Sequence, residues 1–510
     1  MMVDLILLLE RRDSEIDATF VKSQIGDSTT VVSAKVPSFS PEFGMVREEW
    51  TGAHHQHGVD LARVGHDLKL RDVVLVTIPK PETCRLGMLH VWTSPESTYD
   101  IDSVRIPWEE VEEHLKRTEP EKVKGWKRDP RNNPAGKNPT NFWHFSTLPG
   151  NLEPVPTLFE VPKEINTTLS SGMELDAIER VVLAHSIEEG LIQIWAEDDD
   201  YEILGQMAAS LNRKVARVPE GECDQFTPIR RLISTLPIDV KGDNEDAPET
   251  VSRTIQEVEA IARIQDCREG ISEIIGNPIT HVVTSPPYNI GYQPFNDPKP
   301  NSSGDLVTPV REGYEDDLAP EQYAALLQST FDEIDSKANS NSFDLFLNIK
   351  SNYSGGDCDL PFYMLELMPE RWRLLDILVW RYDISFDPGR GKYKPLYEWV
   401  IRVGFGEVDL PEFGMLDWYI PILKGNSRER RELSHPAMFP RELVTQCLKE
   451  SNRPADWVLD PFLGSGTTLA ACLEAGVNSL GFELSPKFST DISKRLEWVK
   501  WAGNGELKRA

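Results

Sequence analysis

The pattern that most narrows the chemistry of this chain is Thr284–Tyr288, TSPPY, at the end of the apolar run HVVT. Two consecutive prolines remove two N–H donors and stiffen the backbone. What remains is the hydroxyl of Ser285, the carbonyls of Pro286 and Pro287, and the flat face of Tyr288. Such a loop can accept hydrogen bonds from an amino group while a ring stacks on the base that carries it. An exocyclic amino group is a weak nucleophile because its lone pair is delocalised into the ring. Acceptors on its hydrogens favour the pyramidal form and free the lone pair for attack. Taken alone, TSPPY is more often a proline turn after a buried strand.

A second pattern is Asp460–Thr468, DPFLGSGTT, between the run WVLD and a helical stretch. Gly464 and Gly466 let the backbone turn tightly and approach a ligand. The start of the helix adds free N–H groups and a positive dipole end. The spacing is not GxGxxG, because Thr467 and Thr468 follow Gly466 directly, and no lysine follows to make a phosphate loop. About 15 residues on, the next strand ends in Glu483, within GFELSP. An acid at that place suits both ribose hydroxyls of a nucleoside. The pair therefore fits an adenosine cofactor without a pyrophosphate.

The elements that must position these loops can be read from periodicity. Runs 281–284, 344–349, 374–382, 397–404, 457–460 and 479–484 read as strands. Segments 320–337, 441–451, 467–475 and 486–501 read as helices, with Gly476 as a C-cap. Strands alternating with helices predict an α/β sheet covered on both faces. Val251, Ile255, Val258, Ile261 and Ile264 are spaced as one helix face. The stretch 238–250, acidic with Gly and Pro, reads as a linker, and 293–315 as a loop. In the first half, 73–78 and 191–196 read as strands, and 106–117 and 200–211 as helices.

Composition bounds the rest. The chain of 510 residues is 39% hydrophobic and 27% charged, enough for at least one large core. No apolar run approaches the roughly 18–20 residues needed to span a bilayer, and Val3–Leu9 is broken by Asp4 and lacks a cleavage site. A cytoplasmic protein is expected. With 83 acidic and 54 basic side chains the net charge is −29, so a polyanion can be held only where basic residues cluster. An acidic surface of this kind is also what adaptation to high salt produces. None of the six cysteines forms a CxxC pair, and His54, His55, His57 and His66 sit in a polar stretch that reads as a solvated loop. No metal is expected.

Together TSPPY and DPFLGSGTT resemble the amino-methylating DNA methyltransferases, with the catalytic motif about 175 residues ahead of the cofactor motif, as in the permuted β group. Two further segments match in order. HPAMFPREL (435–443) is similar to the motif that walls the methionine side of the cofactor. KPLYEWVIRVGF (394–405) is similar to the motif that supports the target-base pocket. The resemblance covers roughly 250–505 and rests on four short motifs in sequence. It implies a Rossmann-like, S-adenosylmethionine-dependent α/β fold in residues 251–505, with a mostly parallel mixed sheet and helices on both faces. It implies that Ser285 and the Pro286 carbonyl orient the target amino group, that Pro287 shapes the loop, and that Tyr288 stacks on a flipped base. Asp460, Phe462, Gly464, Gly466, Thr467, Thr468, Glu483 and Phe439 are implied on the cofactor side. The implied reaction is direct methyl transfer to DNA, in a modification system with a cognate restriction endonuclease as companion. Members with Ser at the first motif position more often resemble cytosine-N4 enzymes, and those with Asp or Asn adenine-N6 enzymes, so cytosine N4 is favoured and adenine N6 stays as the alternative. A DNA-binding module without turnover is the reading from another class.

Residues 1–237 carry YDIDSVRIPWEEV and GKNPTNFWHF, which resemble the segment that the family places between its pocket motif and HPAMFP. Trp143 and Trp418 would correspond. The first half is thus either an accessory α/β domain or a degenerate methyltransferase-like one, without counterparts of TSPPY and GSG. Only 406–434 is left in the second half to read DNA, so the first half is expected to supply much of the DNA contact. Three basic groups are candidates for phosphate contacts. They are Lys122, Lys124, Lys127, Arg128, Arg131 and Lys137; Arg390, Lys392 and Lys394; and Lys424, Arg428, Arg430 and Arg431.

Overall fold

In the computed structural model, the described residues are 3–9, 18–35, 39–40, 44–45, 69–77, 86–97, 99–100, 102–104, 142–145, 160–161 and 167–219 of the first half, and 249–288, 299–300, 306–307, 318, 320–350, 360–382, 395–410 and 417–499 of the second. Two mixed sheets organise them. The first is built from β1 (Val3–Leu9), β2 (Thr30–Lys35), β3 (Lys69–Thr77), β4 (Leu86–Thr93), β5 (Phe142–Phe145), β6 (Glu160–Val161), β7 (Leu191–Trp195) and β8 (Lys214–Arg217). Its order is β8-β7-β1-β2-β4-β3-β5-β6. Helices α1 (Ala18–Gln24), α2 (Leu175–His185) and α3 (Asp198–Ser210) accompany it.

The second sheet comprises β9 (Glu249–Ile255), β10 (Val258–Ile264), β11 (Ile279–Thr284), β12 (Phe343–Ile349), β13 (Arg373–Arg381), β14 (Tyr397–Phe405), β15 (Asp417–Tyr419), β16 (Trp457–Asp460) and β17 (Asn478–Glu483). Its order is β9-β10-β17-β16-β11-β12-β14-β13-β15. The run β10-β17-β16-β11-β12 is parallel, β14 is antiparallel to β12 and β13, and β15 runs parallel to β13. On one face lie α4 (Cys267–Ser272), α5 (Pro320–Lys337) and α6 (Leu360–Leu367), whose Cys267, Phe331 and Met364 join the same apolar cluster as Leu345 and Ile401. On the other, α8 (Arg441–Ser451) and α9 (Thr467–Ala475) bury Val444 and Cys472 against Val283 and Val458. This is the expected Rossmann-like α/β arrangement: strands buried on both faces read as continuous apolar runs. Two smaller helices, α7 (Arg428–Glu432) and α10 (Ser489–Glu497), complete the second half.

One expected helix is not there. Residues 249–264 form the β9–β10 hairpin, paired from Glu249↔Ile264 to Ile255↔Val258. The apolar spacing is two as much as three or four, since Val258, Ala260, Ala262 and Ile264 all face inward. The turn is made by Gln256 and Glu257, both at positive φ (48° and 70°). Such turns usually announce themselves by Asn-Gly or Gly-Gly, and here that signal is absent. The strand also begins at Glu249, inside the stretch read as linker, whose remaining residues 238–248 lie outside the described residues. The segment read as a helix over 486–501 is a 3-10 turn (Pro486–Phe488) followed by α10. Boundaries of the other strands in the second half agree to within about two residues, and 320–337, 441–451 and 467–475 are helical end to end. Gly476 caps α9 at φ 77°. The segment read as a helix over 106–117, and the loop 293–315 apart from 299–300 and 306–307, lie outside the described residues, as do the four histidines at 54–66.

Below the second sheet's ligand end sits a buried ionic knot. Asp344 on β12 accepts from Arg402 of β14 (2.8 Å), Arg453 (2.6 Å) and the Ser451 hydroxyl (2.7 Å). His281 of β11 meets Ser451 Oγ at 2.7 Å through Nε2, and burial lowers its pKa to about 4. Charges taken this far from water persist because each is paired and hydrogen-bonded. No described helix is long and apolar enough to cross a membrane.

Candidate active site

Ligands of open parallel sheets bind outside the carboxyl ends of the strands, where the direction of winding reverses. In the second sheet that point lies between β11 and β16, which pair directly (Val282↔Leu459). The TSPPY loop leaves β11 and the DPFLGSGTT loop leaves β16. They are joined at their roots, where the Thr284 hydroxyl donates to Asp460 Oδ1 at 2.7 Å. Asp460 also accepts from the Thr468 hydroxyl (2.6 Å) and the Phe462 N–H (3.1 Å). Both its oxygens are thus engaged within the protein, and the carboxylate is buried. Burial raises its pKa to about 6, opposed by the Thr468 and Thr284 hydroxyls. It clasps the two loops together.

The glycine loop folds back over β17. Leu463 N–H bonds to Phe482 O (2.8 Å), and Gly464 N–H donates to Glu483 Oε2 (2.8 Å). Gly464 and Gly466 both adopt left-handed backbone, φ 55° and 81°. A Cβ on Gly464 would lie 2.9 Å from His435 Nε2, so a side chain here is excluded by space as well as by conformation. Thr467 and Thr468 open α9 with buried hydroxyls: the former accepts from Arg495 Nη1 (2.5 Å), the latter donates to Asp460. Phe462 is half-buried against the main apolar cluster.

Glu483 ends β17 with each carboxylate oxygen receiving one backbone N–H, from Gly464 and from Ser485 (2.8 Å). Each oxygen keeps a further acceptor position. Burial pushes its pKa up to about 7, although the two N–H groups favour the charged form. A half-buried acid with spare acceptor capacity beside a side-chain-free loop fits a vicinal diol next to a flat base. These residues therefore fit the adenosine part of S-adenosylmethionine.

On the β11 side, Tyr288 is held by its hydroxyl. It donates to Glu398 Oε2 (2.9 Å), lies 3.3 Å from Asn348 Oδ1, and receives the Ser285 hydroxyl at 3.1 Å. Ser285 Oγ so spends its proton on Tyr288, leaving lone pairs for a donor such as an amino group. The Pro287 carbonyl is taken by Tyr323 Oη of α5 (2.5 Å), which fixes the loop against the sheet. Pro286 is buried. Lys350 Nζ sits 3.4 Å from Glu398 Oε1. Burial works against this ammonium, yet Tyr382 and Glu398 beside it hold its pKa above the ordinary lysine value.

Sequence reasoning missed Asn348, Lys350, Glu398, Tyr323 and His435. Glu398 and His435 lie in the segments KPLYEWVIRVGF and HPAMFPREL already singled out; the others carry no local signal. In HPAMFPREL it is His435 that lies against Gly464, its ring edge-on to Phe488 at 4.5 Å. Burial, with Arg495 nearby, lowers its pKa to about 3. Phe439 packs on the other face of the sheet and lines a groove along α8 with Ile420, Leu423 and Arg441. Among the described residues no cluster of His, Cys, Asp and Glu could hold a metal. Of the third basic group, Arg430 turns inward to Pro436 O (2.9 Å), while Arg428 pairs with Glu432 (3.2 Å) over the Trp498 ring. Lys424 and Arg431 are exposed. The other two basic groups lie outside the described residues.

Comparison with known proteins bears on the same region. Residues 406–494, from the end of β14 through α9 to α10, match the DNA methylase family of N6 and N4 type. This segment resembles the amino DNA methyltransferases. Type II methyltransferase M.MjaII of Methanocaldococcus jannaschii is 33% identical over 116 residues, 21% of this chain and 20% of that protein. Type II methyltransferase M.XycI of Xanthomonas campestris pv. cyanopsidis is 41% identical over 94 residues, 16% of this chain and 31% of that one. The chain thus matches a third or less of the length of these relatives. The solved PvuII DNA methyltransferase (cytosine-N4-specific) aligns with 48% of this chain and 88% of its own, at 17% identity and a TM-score of 0.36.

Proposed function

We propose that the chain is a site-specific DNA methyltransferase that moves a methyl group from S-adenosylmethionine to the exocyclic N4 amino group of cytosine. The observation that carries this reading is the clasp between Thr284 and Asp460, which sets the amino-accepting loop and the glycine loop side by side at the sheet's switch point. Glu483 would hold the ribose hydroxyls, Gly464 and Gly466 would let the cofactor lie against backbone, and Phe462 would pack on it. Asp460, Thr467 and Thr468 would shape that cradle from below. When bound, the cofactor would supply an electrophilic methyl for the amino lone pair, the S–C electron pair being left on sulfur and the surplus amino proton released to solvent. The protein's part is orientation. Ser285 Oγ and the Pro286 carbonyl would accept the two amino hydrogens, and the Tyr288 ring, locked by Glu398 and Asn348, would stack on a base taken out of the helix.

Cytosine is favoured over adenine by the neutral Ser285 at the first motif position, where the adenine enzymes it resembles more often carry Asp or Asn. The DNA itself would be held by exposed cations such as Lys424 and Arg431 and by the first half of the chain. A cognate restriction endonuclease and a cytoplasmic setting belong to the same reading. The test is to incubate the protein with labelled S-adenosylmethionine and mixed-sequence DNA and to identify the labelled nucleoside by mass. N4-methylcytosine is expected. N6-methyladenine would overturn the assignment of the base, and unlabelled DNA in the presence of bound cofactor would overturn the reaction.

A further inference from the structure

Seven strands of the first sheet repeat seven of the second. In chain order β1, β2, β3, β4, β5, β7 and β8 take the places of β11, β12, β13, β14, β15, β16 and β17, with the same neighbours and the same parallel or antiparallel sense at each pairing. The irregularities coincide too. β1 slips against β7 between Val3 and Leu5, as β11 slips against β16 between Ile279 and His281. β3 slips against β4 between Leu70 and Asp72, as β13 slips against β14 between Leu374 and Asp376. Trp143 pairs with Val76 where Trp418 pairs with Trp380. Shared order follows from few topological rules, but two bulges at matching positions do not.

The repeat fixes which residues stand where the candidate site would be. Ile194 occupies the place of Asp460, and Leu8 that of Thr284. One residue past β8, Val218 matches Phe482, so Pro219 stands for Glu483. The turn between β7 and α3 has no glycine, and α3 begins with Asp198, Asp199 and Asp200. Leu9 follows Leu8 where Ser285 follows Thr284, so among the described residues acceptor, clasp and cradle have no counterpart.

The sheets also meet through matching faces. Val73, Met88 and Val31 share a single apolar cluster with their counterparts Ile377, Trp399 and Leu345. The opposite faces have separate cores, Val74 and Leu89 in one, Leu378 and Val400 in the other. Tyr397 Oη donates to the Val73 carbonyl at 2.7 Å in the buried seam. Like faces in contact are the mark of a two-fold subunit interface. We infer that residues 1–219 are a second, non-catalytic copy of the methyltransferase fold that occupies, within one chain, the place of a second catalytic subunit. The protein then works as a single chain with one cofactor. That this copy is non-catalytic rests on the function proposed above; the duplication and the seam do not.

Sedimentation of the full chain, with and without a DNA duplex, and calorimetric titration with S-adenosylmethionine test this together. One chain per particle and one cofactor per chain are expected, with binding weakened at least about tenfold in Glu483→Gln. An active dimer, a second cofactor per chain, or binding of undiminished affinity in Glu483→Gln would overturn it. Val73→Glu places a charge in the seam, so that the uncovered face of the second sheet should seek another copy and the chain should self-associate. A Val73→Glu chain that stays monomeric with unchanged melting would overturn the inference equally. If no cofactor binds at all, the proposed function fails, while the particle mass and the Val73→Glu result still decide whether the first half fills a subunit's place.

Discussion

In the role proposed for it, Glu483 would serve binding at the expense of folding. In the unfolded chain a glutamate ionises near 4.3, whereas burial delays Glu483 to about 7. Between these values the native chain keeps a proton that the unfolded chain has released. Stability therefore falls as pH rises through that window, and the loss is complete above 7. Glu483→Gln should stabilise the cofactor-free protein at about pH 8 by on the order of 2–3 kcal/mol in urea unfolding, an advantage that fades as pH falls towards about 4.5. The same variant should bind S-adenosylmethionine at least about tenfold more weakly, a loss of roughly 1.4 kcal/mol. A variant neither more stable at high pH nor weaker in binding would contradict the role given to this carboxylate. At this scale Glu483, Ser285 and the glycines stand out in the sequence because the role proposed for them depends on local chain geometry. Glu398 and His435 do not, because their meaning comes from partners 110 and 29 positions away, Tyr288 and Gly464.

At the scale of elements, β11, β12, β14 and the end of α8 are bound together by the buried Asp344–Arg402–Arg453 knot. Arg402 also donates to the carbonyls of Glu450 and Ser451, which closes α8 onto the sheet. Arg402→Met should destabilise the fold by about 3–5 kcal/mol, because it strips a partner from a buried charge and leaves helix carbonyls unsatisfied. Chemical unfolding measures this, and a loss under about 1 kcal/mol would contradict it. The strands of this knot were legible as apolar runs, and α8 and α9 as amphipathic turns. The β9–β10 hairpin was not, because two residues without glycine adopt positive φ at its tip, so that a period of two passed for a period of three to four.

For the whole molecule, the shared seam makes the first half structurally necessary to the second. Residues 249–499 expressed alone would expose Tyr397 and the face around it, about 25 cal/mol for each Å² of apolar surface returned to water. That fragment should self-associate or precipitate, as light scattering would show; a soluble monomer with full cofactor affinity would contradict it. The paired tryptophans 143 and 418 gave a hint of the repeat in the sequence, but strand order, bulges and the lost site emerge only when β-pairing is known, since pairing joins residues with no local signature.

The measurement that tests the central claim most directly is a side-by-side comparison of Ser285→Ala with the unaltered protein, by calorimetric cofactor binding and by single-turnover methyl transfer to DNA. Two loops with separate duties at one clasped site predict cofactor affinity within about twofold of the original and transfer slower by about 100-fold or more. Unchanged transfer, or loss of cofactor binding along with it, would contradict the account.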